Sequence, residues 1–167
     1  TSCCGSLFSS DNQGVAAELA GLPPGPTLVL FYAIALFLAA GGVAFLRWLR
    51  LGPLFAMISL LGFAVAIAAI IAFLSPYVYE NPNHHCPFCL LKAGYDYVGY
   101  ALYPPLFAAA TVGLSAGVIA PFRHIVSLQA VIPKEVRWLT KLALAGFGLF
   151  YGLATWLLLR SNLILLG

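Results

Sequence analysis

Four long stretches of the chain run almost without polar side chains, and short polar or basic segments separate them. The first runs from Thr27 to about Leu49 and meets no charge until Arg47. The second, about Pro53 to Ser75, is uncharged throughout. The third, Val98 to Ala120, contains Pro104-Pro105, and the fourth runs from about Leu139 to Leu159. A helix of about 20 apolar residues spans the roughly 30 Å of bilayer hydrocarbon. A soluble bundle would show polar faces at helical spacing, and these stretches have none. The pattern therefore predicts an all-α integral membrane bundle of four transmembrane helices over 27–49, 53–75, 98–120 and 139–159. Gly52-Pro53 reads as a tight turn, 76–97 as a polar connector and 121–138 as a basic one. Residues 1–26 read as an extramembrane segment that ends in the stiff approach Leu22-Pro23-Pro24-Gly25-Pro26. Two prolines inside the third span should kink it.

Composition sharpens this picture. The chain of 167 residues is 62% hydrophobic and 8% charged, where a soluble domain is about 25% charged. Such a chain cannot cover a globular surface with polar groups, and a bilayer is the solvent that suits it. The formal net charge of +3, with no Lys/Arg run, excludes a general nucleic-acid role. The first residue is Thr1, not Met, so processing or an upstream segment is expected. Six of the eight Lys and Arg residues (Arg47, Arg50, Arg123, Lys134, Arg137 and Lys141) fall on one face, with only Lys92 and Arg160 on the other. The positive-inside rule then puts both termini and the 76–97 connector outside the cytoplasm. In a bacterium that is the periplasmic side of the inner membrane. Six of the eight tyrosines lie between Tyr77 and Tyr103. They read as an interfacial belt, with a Tyr-lined quinone or substrate pocket as the alternative.

The candidate chemistry rests on four cysteines in two pairs, Cys3-Cys4 and Cys86-Pro87-Phe88-Cys89. The orientation puts both on the oxidising side of the membrane. Positions i and i+3 of a helix bring Cα atoms within disulfide range. Pro87 at the first helical position would make Cys86 an N-cap, with His84 and His85 just before it. That setting favours a thiolate, which makes Cys86 the candidate for the more reactive thiol and Cys89 its partner. A Cys3–Cys4 bridge would be strained, since adjacent Cα atoms are only about 3.8 Å apart. Strain suits a shuttle better than a staple. Two other uses stay open: static disulfides tying the N-terminal segment to the connector, and a metal clip of His84, His85, Cys86 and Cys89. Leu90 follows Cys89 where c-type haem attachment needs His. Lys92 and Asp96, at i and i+4, would pair if one helix ran from Pro87 toward Val98. Gly148 and Gly152 mark a small-residue face for helix packing, within the bundle or against a partner in a membrane complex.

The order of these elements resembles the vitamin K epoxide reductase family and, more loosely, the quinone-linked disulfide oxidases of the DsbB type. An outer cysteine pair precedes a span opening with Gly-Leu-Pro-Pro-Gly-Pro, a second span follows, and Cys86-Pro87-Phe88-Cys89-Leu90-Leu91 leads into a third. The resemblance implies thiol–disulfide electron transfer between an outer-face thiol protein and a membrane quinone. Cys86 and Cys89 would be the quinone-side pair and Cys3 and Cys4 the shuttle pair. In that family the shuttle cysteines are separated, whereas here they are adjacent. The alternative function is a non-enzymatic structural or accessory subunit of a membrane complex, with the cysteines as staples or a metal clip.

Overall fold

A computed structural model of the chain describes residues 15–81 and 84–161, with side-chain burial from residue 17. Cys3 and Cys4 lie outside the described residues. Among those described there is no strand, and four helices are long and apolar enough to cross a membrane. The architecture is the all-α four-helix bundle that the hydropathy pattern predicts. A helix pairs every backbone group within its own segment, which a hydrocarbon solvent demands.

The elements run as α1 (Val15–Ala20), α2 (Pro24–Arg47), α3 (Gly52–Ala69), a π-helical turn (Ile70–Leu74), α4 (Ser75–Tyr79), α5 (Val98–Ile119) and α6 (Ile132–Arg160). Short 3₁₀ segments cover Leu49–Leu51, Pro87–Leu91, Ala93–Tyr95 and Ala120–His124. Two span boundaries differ from the sequence reading because of proline. Pro24 and Pro26 occupy the first turn of α2, where no N–H is needed, and Thr27 Oγ1 donates to the Pro23 carbonyl at 2.8 Å. Pro133 likewise sits in the first turn of α6, so that helix starts at Ile132 and takes in Lys134 and Arg137. Despite Pro104 and Pro105, α5 stays helical from end to end.

The chain divides into two compact units, and the boundary cuts every long helix. Among the described residues one unit comprises 15–32, 65–81, 84–103 and 152–161; the other comprises 33–64 and 104–151. All six cations assigned above to the cytoplasmic face belong to the second unit, and Lys92 and Arg160 to the first.

The second unit is built on Phe45, Phe55, Ala116, Ala120, Ile132, Val136 and Ala143, which form one buried cluster. Small residues let its helices approach. A Cβ on Gly146 would stand 2.9 Å from the Ala109 Cβ and 3.1 Å from the Pro105 carbonyl oxygen. Arg123 closes the basic end by donating from Nη1 to the Leu49 carbonyl at 2.8 Å. The first unit packs Phe31 edge-on against Phe73, with ring centroids 5.5 Å apart. The Tyr32 and Thr155 hydroxyls pair at 2.9 Å. Large apolar side chains face outward throughout, among them Val29, Leu36, Phe37 and Met57, each more than 60% exposed, as lipid contact requires.

Gly148 and Gly152 behave differently from Gly146, since a Cβ at either meets nothing within 4 Å. The small-residue face read from the sequence therefore points outward, and Gly146 is the glycine that packs. Gly146→Ala is expected to lower the unfolding free energy by about 1–3 kcal/mol. Gly148→Ala and Gly152→Ala should be neutral or stabilising by up to about 1 kcal/mol, from helix propensity. Unfolding of the purified variants in detergent separates the two cases.

Candidate functional site

The site begins with a backbone defect. In the π turn the Ser75 N–H donates to the Ile70 carbonyl, five residues back. The donor for the next carbonyl, Ile71, would be residue 76, which is proline and has no N–H. The Ile71 carbonyl is therefore left for an outside donor, and His85 Nδ1 supplies one at 3.0 Å. A carbonyl only accepts, so this nitrogen carries the ring proton. That bond ties the connector down onto the end of the second span, immediately before Cys86.

Cys86 then occupies the N-cap position of a five-residue 3₁₀ helix, Pro87–Leu91, with Pro87 at its start and no capping hydrogen bond from the Cys86 side chain. The N-cap expected from the sequence is present, but the long helix is not. Lys92 is extended and ends the segment. A second short turn, Ala93–Tyr95, follows, and Asp96 and Tyr97 take left-handed backbone angles (φ 52° and 53°) before α5 begins. Lys92 and Asp96 thus do not share a helix face, and the i, i+4 pairing read from the sequence has no helix to support it. With so few residues in line, a macrodipole at Cys86 is correspondingly small.

Two tyrosine hydroxyls fix this segment. Tyr79 donates to the Cys86 carbonyl and Tyr103 to the Pro87 carbonyl, each at 2.6 Å. Gly99 makes room beneath it, because a Cβ there would lie 2.7 Å from Leu91 Cδ2 and 3.1 Å from the Leu90 carbonyl carbon. Tyr79 and Tyr103 are therefore scaffold for the cysteine segment. Tyr97 and Tyr100, 54% and 64% exposed, fit a belt better.

Cys86 and Cys89 are free thiols, 1% and 3% exposed. They form one buried cluster with Ala20 of α1 and Ile71, lined by Leu19, Ile67, Tyr79 and Tyr95. Helix α1 is thus a lid on the pair. The sequence reading left it inside an extramembrane segment, since six residues in a polar stretch carry too little periodicity to stand out. His84 joins from the side: its ring lies 4.4 Å from that of Tyr79, and its ligating nitrogen and both sulfurs are all within 4.8 Å of one another. Of the four residues proposed as a metal clip, His84, Cys86 and Cys89 come together, while His85 is turned to Ile71.

Removing one anchoring hydroxyl should loosen the segment without disturbing the fold. Tyr79→Phe and Tyr103→Phe are each expected to cost about 0.5–1.5 kcal/mol. Both should also speed alkylation of Cys86 and Cys89 by a soluble maleimide, relative to the parent chain. An unchanged alkylation rate would show that these bonds do not hold the segment closed.

No known protein family, characterised protein or solved structure matches the chain.

Proposed function

We propose that the protein moves two electrons between thiols outside the membrane and a quinone within it, through the Cys86–Cys89 pair. In the reduced state the two thiols give up two electrons and two protons as an Sγ–Sγ bond forms. The quinone takes up both electrons and both protons and leaves as quinol. A Cys3 or Cys4 thiolate then attacks the disulfide to form a mixed disulfide, and its neighbour resolves it. This returns Cys86 and Cys89 to the dithiol and leaves Cys3–Cys4 oxidised. An outer-face thiol protein reduces that vicinal pair and is itself oxidised, so each quinone consumed yields one protein disulfide.

The observation that carries this reading is the placement of two free, buried thiols of one Cys-x-x-Cys under a helix that leads back to Cys3-Cys4. Ten residues lie between Cys4 and Val15 at the start of α1, which makes eleven Cα–Cα steps, and an extended chain covers at most about 3.6 Å per step. That tether, of up to about 40 Å, lets the outer pair reach the inner one. With the two Sγ atoms within 4.8 Å of one another, side-chain rotation suffices to reach the roughly 2 Å of a disulfide. An apolar cleft in the same unit, walled by Leu22, Pro23, Pro26, Leu30, Val65 and Ala68, is of the kind that admits a quinone ring from lipid. The charge asymmetry supports an orientation with the cysteines on the non-cytoplasmic side, which in a bacterial inner membrane is the periplasm.

The test uses the full chain in liposomes with and without a ubiquinone or menaquinone analogue, reducing it first and following thiols by mass after alkylation. Quinone-dependent loss of thiols in pairs is expected, two from Cys86–Cys89 and, as that disulfide passes to the vicinal pair, two more from Cys3–Cys4. Thiols that stay free with either quinone, under conditions where added diamide closes them, would contradict the proposal.

A further inference from the structure

The third member of the cluster has no part in the electron transfer proposed above. His84 makes no disulfide, yet its imidazole stands with both sulfurs inside a 4.8 Å circle. Two thiols and an imidazole at that spacing form a metal-ligand set. Around one tetrahedral zinc, with Zn–S about 2.3 Å and Zn–N about 2.0 Å, neighbouring donor atoms stand about 3.5–3.8 Å apart. Side-chain rotation alone closes the difference. We infer that the reduced Cys86–Cys89 pair and His84 bind Zn²⁺, and that zinc held there blocks the thiols from oxidation.

Charge selects the ion class. Two thiolates in a buried cluster carry −2, and Zn²⁺ with a neutral imidazole brings the sum to zero. A monovalent soft ion would leave a net negative charge in an apolar surrounding of Ala20, Ile71 and Ile67, which is unfavourable. The surroundings also preorganise the ligands. The Tyr79 hydroxyl fixes the Cys86 carbonyl while its ring packs on the His84 imidazole, and Tyr95 closes on the same tyrosine with centroids 4.3 Å apart. Among the described residues the donor group has three members, so a fourth position stays open for water or another thiolate, as in three-ligand zinc sites. His85 is not in this group, and its Nδ1 is turned to the Ile71 carbonyl.

Zinc and the disulfide are mutually exclusive, because both use the same two sulfurs. The site therefore makes zinc a brake on the reduced state, and oxidation releases the ion. This rests on the preceding proposal only in taking the pair as a reversible dithiol.

The experiment is a zinc titration of the reduced full chain in detergent against a chromogenic chelator, repeated with Co²⁺ to record the thiolate-to-metal absorption band. One Zn²⁺ per chain is expected, absent after diamide oxidation and in Cys86→Ser. His84→Ala should weaken binding by at least the ~10- to 100-fold that loss of a ligand's supporting partner costs, and should alter the Co²⁺ spectrum while all four thiols of the reduced chain remain titratable. No saturable zinc, or His84→Ala binding as tightly as the parent, would overturn the inference. Saturating zinc should also stop diamide from closing the pair, and closure at an undiminished rate would overturn the brake. No quinone enters these measurements, so a failed quinone assay beside intact zinc binding overturns the electron-transfer proposal alone.

Discussion

Replacing Cys89 by Ser is expected to abolish quinone-dependent thiol oxidation altogether, with no residual slow phase. The reason is stoichiometric. Closing the Sγ–Sγ bond is what releases the two electrons, and a lone Cys86 thiol cannot deliver them. The isosteric change is mild for packing, because a hydroxyl replaces a thiol in a cluster whose walls are Ala20, Ile71, Tyr79 and Tyr95. The protein should therefore still fold, insert and keep α1 seated on the connector. Cys86→Ser should be equally inactive. Under the redox reading the Cys89→Ser variant is also a trap, because Cys86 can no longer be resolved by its neighbour. When the Cys3–Cys4 pair is oxidised beforehand, the Cys86 thiolate attacks that disulfide and releases one of its cysteines as a thiol, so a mixed disulfide between Cys86 and Cys3 or Cys4 should accumulate and appear as one peptide cross-link by mass. If the cysteines were only structural staples, neither the loss of turnover nor the trapped species would appear.

The second large effect is on stability. Gly117→Val is expected to destabilise the second unit by about 3 kcal/mol. A Cβ at Gly117 would overlap the Gly52 carbonyl oxygen, and would lie 2.5 Å from the Ala56 Cβ and 2.9 Å from the Ala56 nitrogen. These are mostly backbone atoms, so no rotamer change relieves the clash and α3 and α5 must separate. The crossing exists because small residues meet there: a Cβ on Gly52 would in turn stand 2.5 Å from the Ala120 Cβ. Association of spans in lipid depends on such close approach, since apolar burial gives no drive there. Unfolding of the purified variant in mixed detergent measures the cost. A Gly117→Val chain as stable as the parent would mean that α3 and α5 do not cross at these residues.

The spans were legible in the sequence because a membrane imposes one simple requirement, a long stretch free of charge. The hydropathy pattern ends the first at about Leu49, two residues past Arg47, where the helix stops. Boundaries at Pro24 and Pro133 were harder, because proline breaks a helix interior but suits a first turn, and only context separates the two. The cysteine pair was legible as a motif, and so was the N-cap at Cys86. The rest of the site was not, because it depends on long-range partners. Nothing local tells His84 from His85; the distinction comes from the Ile71 carbonyl, which the π turn and Pro76 leave without a helical donor. Tyr79 and Tyr103 looked like belt residues by position and become anchors only once the connector folds back between them. Gly148 and Gly152 carried the stronger packing pattern, yet Gly146 is the one in contact, since helix register and not spacing decides which face meets a neighbour.

The central claim is that Cys86 and Cys89 exchange electrons reversibly. It is tested most directly by their reduction potential, from equilibrating the full chain in graded thiol–disulfide buffers and trapping free thiols for mass analysis. The account predicts a two-electron transition between about −180 and −270 mV, where working oxidoreductase pairs lie. A pair that stays closed below about −300 mV, as structural disulfides do, would contradict it.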